Sequence, residues 1–412
     1  MNSDLFSSFQ QFEYDIHPET WQQHDKILIW AEGCERISEL FESPNLYEES
    51  DDPIVRQGYA LVNHIKNHFR DRYSHLNTFR ILIHIPSLEA SPGGNSLFSN
   101  MTQALGFIGI PVKNLGWNEG IEKYLDEFKP AVFMTSDHEI YLSRIDWKAV
   151  EKYRNSNILR IGLTASIEEY GNTPLKERLL WAKEHGIDFY YSFRCPEYLQ
   201  QRAEYKPFLE NRHNIFSIEF GANPLIHYPV PGFKRDLNYV FLASINSDKW
   251  QRYFLYLTEI FSKYPGFLDG PGWSLISRMT SNLNKDRYLY ARAKAGLNLH
   301  LDNQIKWASE LNERTYMLAA CGVPQLTDNP LLLSDRFDEE GFFVANSPDE
   351  YKALFDFILN NPHEANRKAL IAQKEVFANH TWFHRAENFA LKLSEYLFPK
   401  LYEDSFLHDN TE

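Results

Sequence analysis

The chain has 412 residues, enough for more than one hydrophobic core. Its 42 Lys and Arg against 56 Asp and Glu give a net charge of −14, which argues against a broad nucleic-acid surface or general attraction to anionic membrane. Cys34, Cys195 and Cys321 are too few for a disulfide framework and lack metal-ligand spacing, so a reducing, cytoplasmic setting is expected. Met1-Asn2-Ser3-Asp4-Leu5-Phe6 lacks the basic-then-apolar order of a signal peptide. No stretch approaches ~18 uncharged apolar residues; no transmembrane segment is expected, and peripheral membrane contact stays open. An aromatic content of 15% reads first as large aromatic cores.

Residues 1–78 read as a helical extension. Trp21 to Phe41 suits one or two helices, and Tyr59, Val62, Ile65 and Phe69 recur at helical spacing. From Phe79 the pattern becomes strand and helix in alternation. Strands are expected at Phe79–Ile85, from Ile110, at Ala131–Met134, Ile158–Leu163, Ile187–Phe193 and Ile215–Phe220. Helices are expected through Gly106, at Glu119–Phe128, Trp147–Arg154 and Pro174–Gly186. Short apolar strands separated by helices make parallel βαβ units. Gly93-Gly94 stands in the expected loop after the first strand, where backbone approaches a ligand closely, without the spacing of a dinucleotide fingerprint.

Gly221-Ala222-Asn223-Pro224 and the run Tyr228-Pro229-Val230-Pro231-Gly232 together read as a proline-rich hinge, and a second α/β series follows. Its strands are expected at Asn238–Ala243, Gly266–Leu268, Gly296–Leu301 and Gly341–Ala345. Helices are expected at Lys249–Lys263, Tyr288–Lys294, Pro348–Leu359, Glu364–Phe377 and Arg385–Leu397. Within this series Glu310 to Asp328 reads as a helix running straight into a short strand. Gly322 stands where a helix end wants a left-handed residue, and Pro324 forbids continuation. Asn312, Glu313 and Arg314 share the first turn, whose free N–H groups attract anions. A phosphate-bearing ligand or ordinary packing would each explain it.

These landmarks resemble GT-B glycosyltransferases, and more closely the spore-maturation-protein-like group (glycosyl transferases group 1-like). The resemblance rests on Phe220-Gly221-Ala222-Asn223-Pro224, on Val240-Phe241-Leu242-Ala243-Ser244 with Arg252, and on Gly296-Leu297-Asn298-Leu299-His300. Asn312 with Arg314, the run Ala319-Ala320-Cys321-Gly322-Val323-Pro324 with Thr327-Asp328, and His380-Thr381-Trp382 with Arg385 complete it. It covers roughly residues 215–390. It implies an α/β GT-B architecture, two Rossmann-like domains facing a cleft. Domains are expected at 79–231 for the acceptor and 232–384 for the nucleotide-sugar donor, with residues 385–412 as a final helix and acidic tail. It further implies a cytoplasmic, metal-independent hexosyltransferase-like enzyme with no cofactor, the nucleotide-sugar being a substrate. The acceptor would be a glycan, a lipid-linked or a small molecule. A non-catalytic scaffold and a sugar-nucleotide epimerase on the same frame are the alternatives.

Loss of a nucleoside diphosphate needs cations, N–H groups and a helix N-terminus around the growing charge. Lys249, Arg252 and Arg314 are the candidate cations, with Ser244, Asn298 and Asn312 as supports, and His300 and Gly322 beside them. Met317 stands where many such enzymes carry an acidic residue for the ribose hydroxyls, and a thioether is a poor substitute; Glu310 or Glu313 would have to take over. Trp273, after Gly270-Pro271-Gly272, is either a nucleobase platform or a buried ring behind a tight turn. In Ser136-Asp137-His138-Glu139, Asp137 and His138 are candidates for a catalytic base; Glu168 and Glu169 occupy an analogous loop.

Overall fold

The computed structural model describes residues 10–167, 173–210, 215–245, 249–273, 275 and 284–399; Glu168 and Glu169 lie outside them. In chain order the main elements begin with α1 (Pro18–Arg36) and α2 (Pro53–Phe69). Then come β1 (Ile81–His84), α3 (Pro92–Phe107), β2 (Val112–Leu115), α4 (Glu122–Glu127), β3 (Val132–Thr135), α5 (Glu139–Leu142) and α6 (Trp147–Arg154). Next are β4 (Arg160–Thr164), α7 (Leu175–Glu184), β5 (Phe189–Ser192), α8 (Pro196–Gln201) and β6 (Ile215–Ser217). The second series runs β7 (Val240–Leu242), α9 (Trp250–Lys263), β8 (Phe267–Asp269), α10 (Asp286–Ala291), β9 (Gly296–Asn298), α11 (Asp302–Lys306), α12 (Glu313–Ala320) and β10 (Gln325–Asp328). It closes with β11 (Phe343–Ala345), α13 (Pro348–Asn360), α14 (Pro362–Asn379) and α15 (Trp382–Leu397).

Contacts divide the chain into two units, residues 66–220 with 382–412, and residues 1–65 with 221–381. The first holds a six-stranded parallel sheet ordered β2-β1-β3-β4-β5-β6. Its strands β1, β3 and β5 are buried at every position, as helices on both faces require. α15 closes this unit: Phe383 stacks on Phe107 with centroids 4.4 Å apart, and Arg385 Nε donates to the Phe220 carbonyl at 3.0 Å. In a sheet of this order the connections reverse between β1 and β3, which opens a crevice beyond the strand C-termini.

The second unit holds a five-stranded parallel sheet ordered β11-β10-β9-β7-β8, reversing between β7 and β9. Residues 10–65 pack into it. Phe12 and Ile16 join Trp250, Phe261 and Trp273 in one cluster; Ile27, Leu28 and Ala31 join Val240, Phe267 and Leu289 in another. Gly266 N donates to Thr20 Oγ1 at 3.2 Å. Of the connection expected as a hinge, Gly221-Ala222-Asn223-Pro224 begins at the unit boundary, while Tyr228-Pro229-Val230-Pro231-Gly232 lies inside this unit, where Val230 is buried and the Tyr228 hydroxyl donates to Glu42 at 2.7 Å. By contact the crossings fall after Ile65, Phe220 and Thr381, and near the last two Ala222 N donates to the His380 carbonyl at 3.0 Å.

Gly93-Gly94 does not form a loop. Ser91 takes an extended backbone and accepts from Gly94 N at 3.2 Å, so α3 starts at Pro92 and both glycines lie in its first turn. A serine cap followed by proline is a strong start signal, and it outweighs glycine's poor helix propensity.

Candidate functional site

The reversal between β7 and β9 collects most of the residues singled out in the second series. α12 starts where it does because Asn312 Oδ1 accepts from Thr315 N at 3.1 Å. The same amide donates Nδ2 to Asn298 Oδ1 at 2.8 Å and to the Leu299 carbonyl at 3.1 Å. Arg314 donates Nε to the Leu242 carbonyl at 2.9 Å and Nη1 to Asn298 Oδ1 at 3.3 Å, with its guanidinium 4.9 Å from the Phe241 ring centroid. Asn298 Nδ2 in turn donates to Thr315 Oγ1 and Gln325 Oε1, both at 2.9 Å. Asn298 thereby ties the end of β9 to the first turn of α12, and Arg314 ties the end of β7 to it.

Beside it lies a charged network that sequence reasoning saw only in part. His300 donates its backbone N to Asp328 Oδ2 at 2.9 Å, and its Nδ1 lies 2.7 Å from Oδ1. Arg252 reaches Asp328 Oδ2 at 2.6 Å and Asp302 at 3.5 Å. Asp328 is 1% exposed. Burial pushes its carboxyl up, but His300 and Arg252 outweigh that and hold it below the usual carboxylate range. Asp328, Thr315 and Gln325 were not named as site residues. Their signal was available: β10 is buried throughout yet reads Gln325-Leu326-Thr327-Asp328, and polar groups in a fully buried strand need partners.

Other expected donor residues stand apart from this cluster. Ser244 follows β7, and its carbonyl accepts from the Tyr253 hydroxyl at 3.5 Å. Lys249, half-buried, immediately precedes α9. Met317, one turn beyond Arg314, is half-buried against the cluster of Ile27, Leu28 and Val240. Glu310 is buried, its Oε1 accepting from Gln304 Nε2 at 2.8 Å. Gly322 takes the expected left-handed conformation at φ +66°, and an added Cβ would lie 2.1 Å from Ile54 Cγ2. It terminates α12 about 12 Å from the helix start, so its place is a packing stop and not the polar end of the helix.

Gly270 and Gly272, at φ +137° and +97°, press against Ala243 and Ile245, whose carbonyl oxygens would lie 2.4 and 2.5 Å from added Cβ atoms. Trp273 donates Nε1 to the Ala243 carbonyl at 3.0 Å and is 4% exposed, packed with Phe12 and Phe241. It is the buried ring behind a tight turn and offers no face to a base.

In the first unit a cavity of about 350 Å³ lies at the ends of β1, β3, β4 and β5, lined in part by His138, Tyr141, Ser136, Thr164, Trp117 and Phe193. His138 Nδ1 accepts from Ile140 N at 3.2 Å and so caps α5. Asp137 is not in this lining. It is 3% exposed, paired with Arg178, and accepts from Thr164 Oγ1 at 2.8 Å. Burial pushes its carboxyl up against the opposing pull of Arg178 and the Thr164 hydroxyl. A neutral Asp137 would strand a buried guanidinium, which cannot give up its proton, so the pair is held as ions. Asp137 therefore touches the cavity only through its neighbours.

Among the described residues, no three His, Cys, Asp or Glu side chains converge to hold a metal, and no helix is long and apolar enough to cross a membrane.

Residues 263–390 match a family described as Glycosyl transferase-like. A T4 phage BGT mutant in complex with UDP-glucose shares the fold at 13% identity and a TM-score of 0.50, over 77% of this chain and 99% of that one. An alpha-glucosyltransferase in complex with UDP-glucose and DNA containing an abasic site does so at 12% identity and a TM-score of 0.52, over 78% and 99%. T4 phage BGT in complex with UDP and Mn2+ aligns over 77% and 99% at 13% identity, with a TM-score of 0.49. No curated protein matches the sequence. The chain has the GT-B glycosyltransferase fold, and its residues 263–390 are similar to the Glycosyl transferase-like family.

Proposed function

We propose that the chain is a glycosyltransferase moving a sugar from a nucleotide-sugar donor, held by residues 221–381, to an acceptor hydroxyl held by residues 66–220. The observation that carries this reading is the fixing of Arg314 at the start of α12 by Asn298 and Leu242. Its hydrogen-bond partners there, Leu242, Asn298 and the Tyr253 hydroxyl, are neutral, so the guanidinium keeps its charge for an anionic ligand, and the bonds to Leu242 and Asn298 use two of its five N–H donors. Arg252 already spends charge on Asp328. Arg314 is thus the principal cation for a departing diphosphate, Arg252 a weaker one, and Lys249 a contributor from the α9 side. The positive end of the α12 dipole adds to them.

Binding of one nucleotide diphosphate should raise thermal stability, and Arg314→Ala should weaken that nucleotide at least tenfold. No stabilisation by any nucleotide, together with no turnover of any nucleotide-sugar, would overturn the proposal. Metal independence is part of the reading: transfer should survive excess EDTA. Kinship with the spore-maturation-protein-like group and a cytoplasmic location belong to it as well. Met317 favours a second reading, a GT-B frame that binds without transferring, since no carboxylate stands at that turn to receive the ribose hydroxyls. Sugar transfer that Arg314→Ala abolishes would eliminate it.

A further inference from the structure

The cavity at the C-terminal ends of β1, β3, β4 and β5 has a lining that selects by charge and by hydrogen-bond direction. We infer that it takes an uncharged saccharide, which serves as the acceptor if the transfer proposed above is correct. At about 350 Å³ it sits near the lower end of the ~300–1,000 Å³ typical of small-molecule sites, room for one ring and its substituents. Among the described residues its lining contains no Asp, Glu, Lys or Arg. Of the charges behind it, Asp137 and Arg178 are buried and neutralise each other, and the Arg144 guanidinium lies against the Trp117 ring, 4.2 Å from its centroid. A phosphate or carboxylate entering here would lose water and meet no Lys or Arg among the lining residues.

The hydrogen bonds sharpen the choice. Thr164 has a single proton, and it goes to Asp137 Oδ1 at 2.8 Å, because an ionised carboxylate only accepts. Thr164 Oγ1 also accepts from Asp137 N at 3.0 Å. At its 3.1 Å contact with Thr164, Ser136 must therefore be the donor. Ser136 Oγ accepts from His138 N at 3.2 Å, and one lone pair remains to receive a proton from a ligand. The Asp137 charge polarises this chain and strengthens that acceptor. A sugar hydroxyl supplies the proton; a phosphate diester oxygen cannot.

The apolar side of the cavity suits a pyranose face. The Trp117 ring is closed off by His84, stacked at 5.3 Å, and by the Arg144 guanidinium at 4.2 Å. Tyr141, edge-on to Trp117 at 4.9 Å and half-buried, is left to meet a ligand together with the half-buried Phe193.

Saturation-transfer NMR on the full chain, without nucleotide, tests this. The probes are the methyl β-glycosides of glucose, galactose and N-acetylglucosamine, glucose 6-phosphate, and a short DNA duplex. At least one neutral glycoside should bind, ten or more times tighter than the phosphate or the duplex. Tyr141→Ala and Ser136→Ala should each weaken it fivefold or more, and Ser136→Thr should restore it; Tyr141→Leu replaces Tyr141→Ala if the latter fails to fold. Binding of glucose 6-phosphate or DNA as tight as the glycosides, no glycoside binding, or binding unmoved by these variants would overturn the inference. Because no nucleotide is present, the result is independent of the thermal-shift test of the donor reading.

Discussion

Replacing Asp328 tests whether the second unit's charged network is as tightly coupled as its geometry implies. Asp328→Leu would leave Arg252, 16% exposed, without its 2.6 Å partner, and would strip His300 of the acceptor for both its backbone N and its Nδ1. Removing one member of a buried pair costs ~3–5 kcal/mol. At ~2–4 °C per kcal/mol for a domain of this size, the unit's melting point should fall by ~6–20 °C. Arg252→Met alone should cost less, since Asp328 keeps His300. The double variant should be less damaging than the sum of the two by ~0.5–3 kcal/mol, because the second substitution removes the charge that the first left unpaired. Urea melts followed by far-ultraviolet circular dichroism at pH 7 would measure all three. A loss below ~1 kcal/mol for Asp328→Leu, or strict additivity, would refute the reasoning. The depressed Asp328 carboxyl contributes stability above its unfolded value near ~3.9 that is lost as pH falls through the lower folded one. Asp328→Leu should accordingly flatten the acid limb below pH ~4.

Burial, aided by Arg144, lowers the His84 pKa to about 4. The unfolded chain protonates it near ~6.5, so it contributes up to ~3 kcal/mol above that pH, lost as pH falls toward 4; His84→Asn should make stability between those values less steep. Gly272→Ala would force a side chain into φ +97° with the Ile245 carbonyl 2.5 Å from its Cβ, and should cost ~1–3 kcal/mol in chemical melts. Met317→Glu places a carboxylate one turn beyond Arg314. A charge-assisted bond of ~1.5–3 kcal/mol to a ribose hydroxyl should tighten nucleotide binding roughly tenfold by calorimetry, and an unchanged affinity would place the ribose elsewhere.

The two sheets were legible because their strands are short apolar runs bounded by turns and helices, the signature of burial on both faces. Their ends were less so. Gly296–Leu301 reads as one strand, yet β9 stops at Asn298, whose side chain bonds Asn312 and Thr315. Asp137 attracted attention as a carboxylate at a strand end, but its partner Arg178 lies on α7, separated by a connection that no local pattern spans. Trp273 posed the same problem: whether a ring is covered depends on Phe12, far away in sequence. Pairings of this kind are fixed by tertiary packing, and periodicity is silent about them.

The closing helix has a consequence for how the chain is made. Phe107 receives its stacked partner, Phe383, only from α15, and Phe216 meets Phe389 on the same helix. The sheet that ends at β6 thus emerges early in synthesis with an apolar face bare, and stays so while the whole of residues 221–381 is translated. At ~5–20 residues per second that interval is on the order of ten seconds or more. Chains cut short before Trp382 would keep every strand of both sheets and still expose that face permanently, so loss of solubility, and not loss of secondary structure, should mark such truncations.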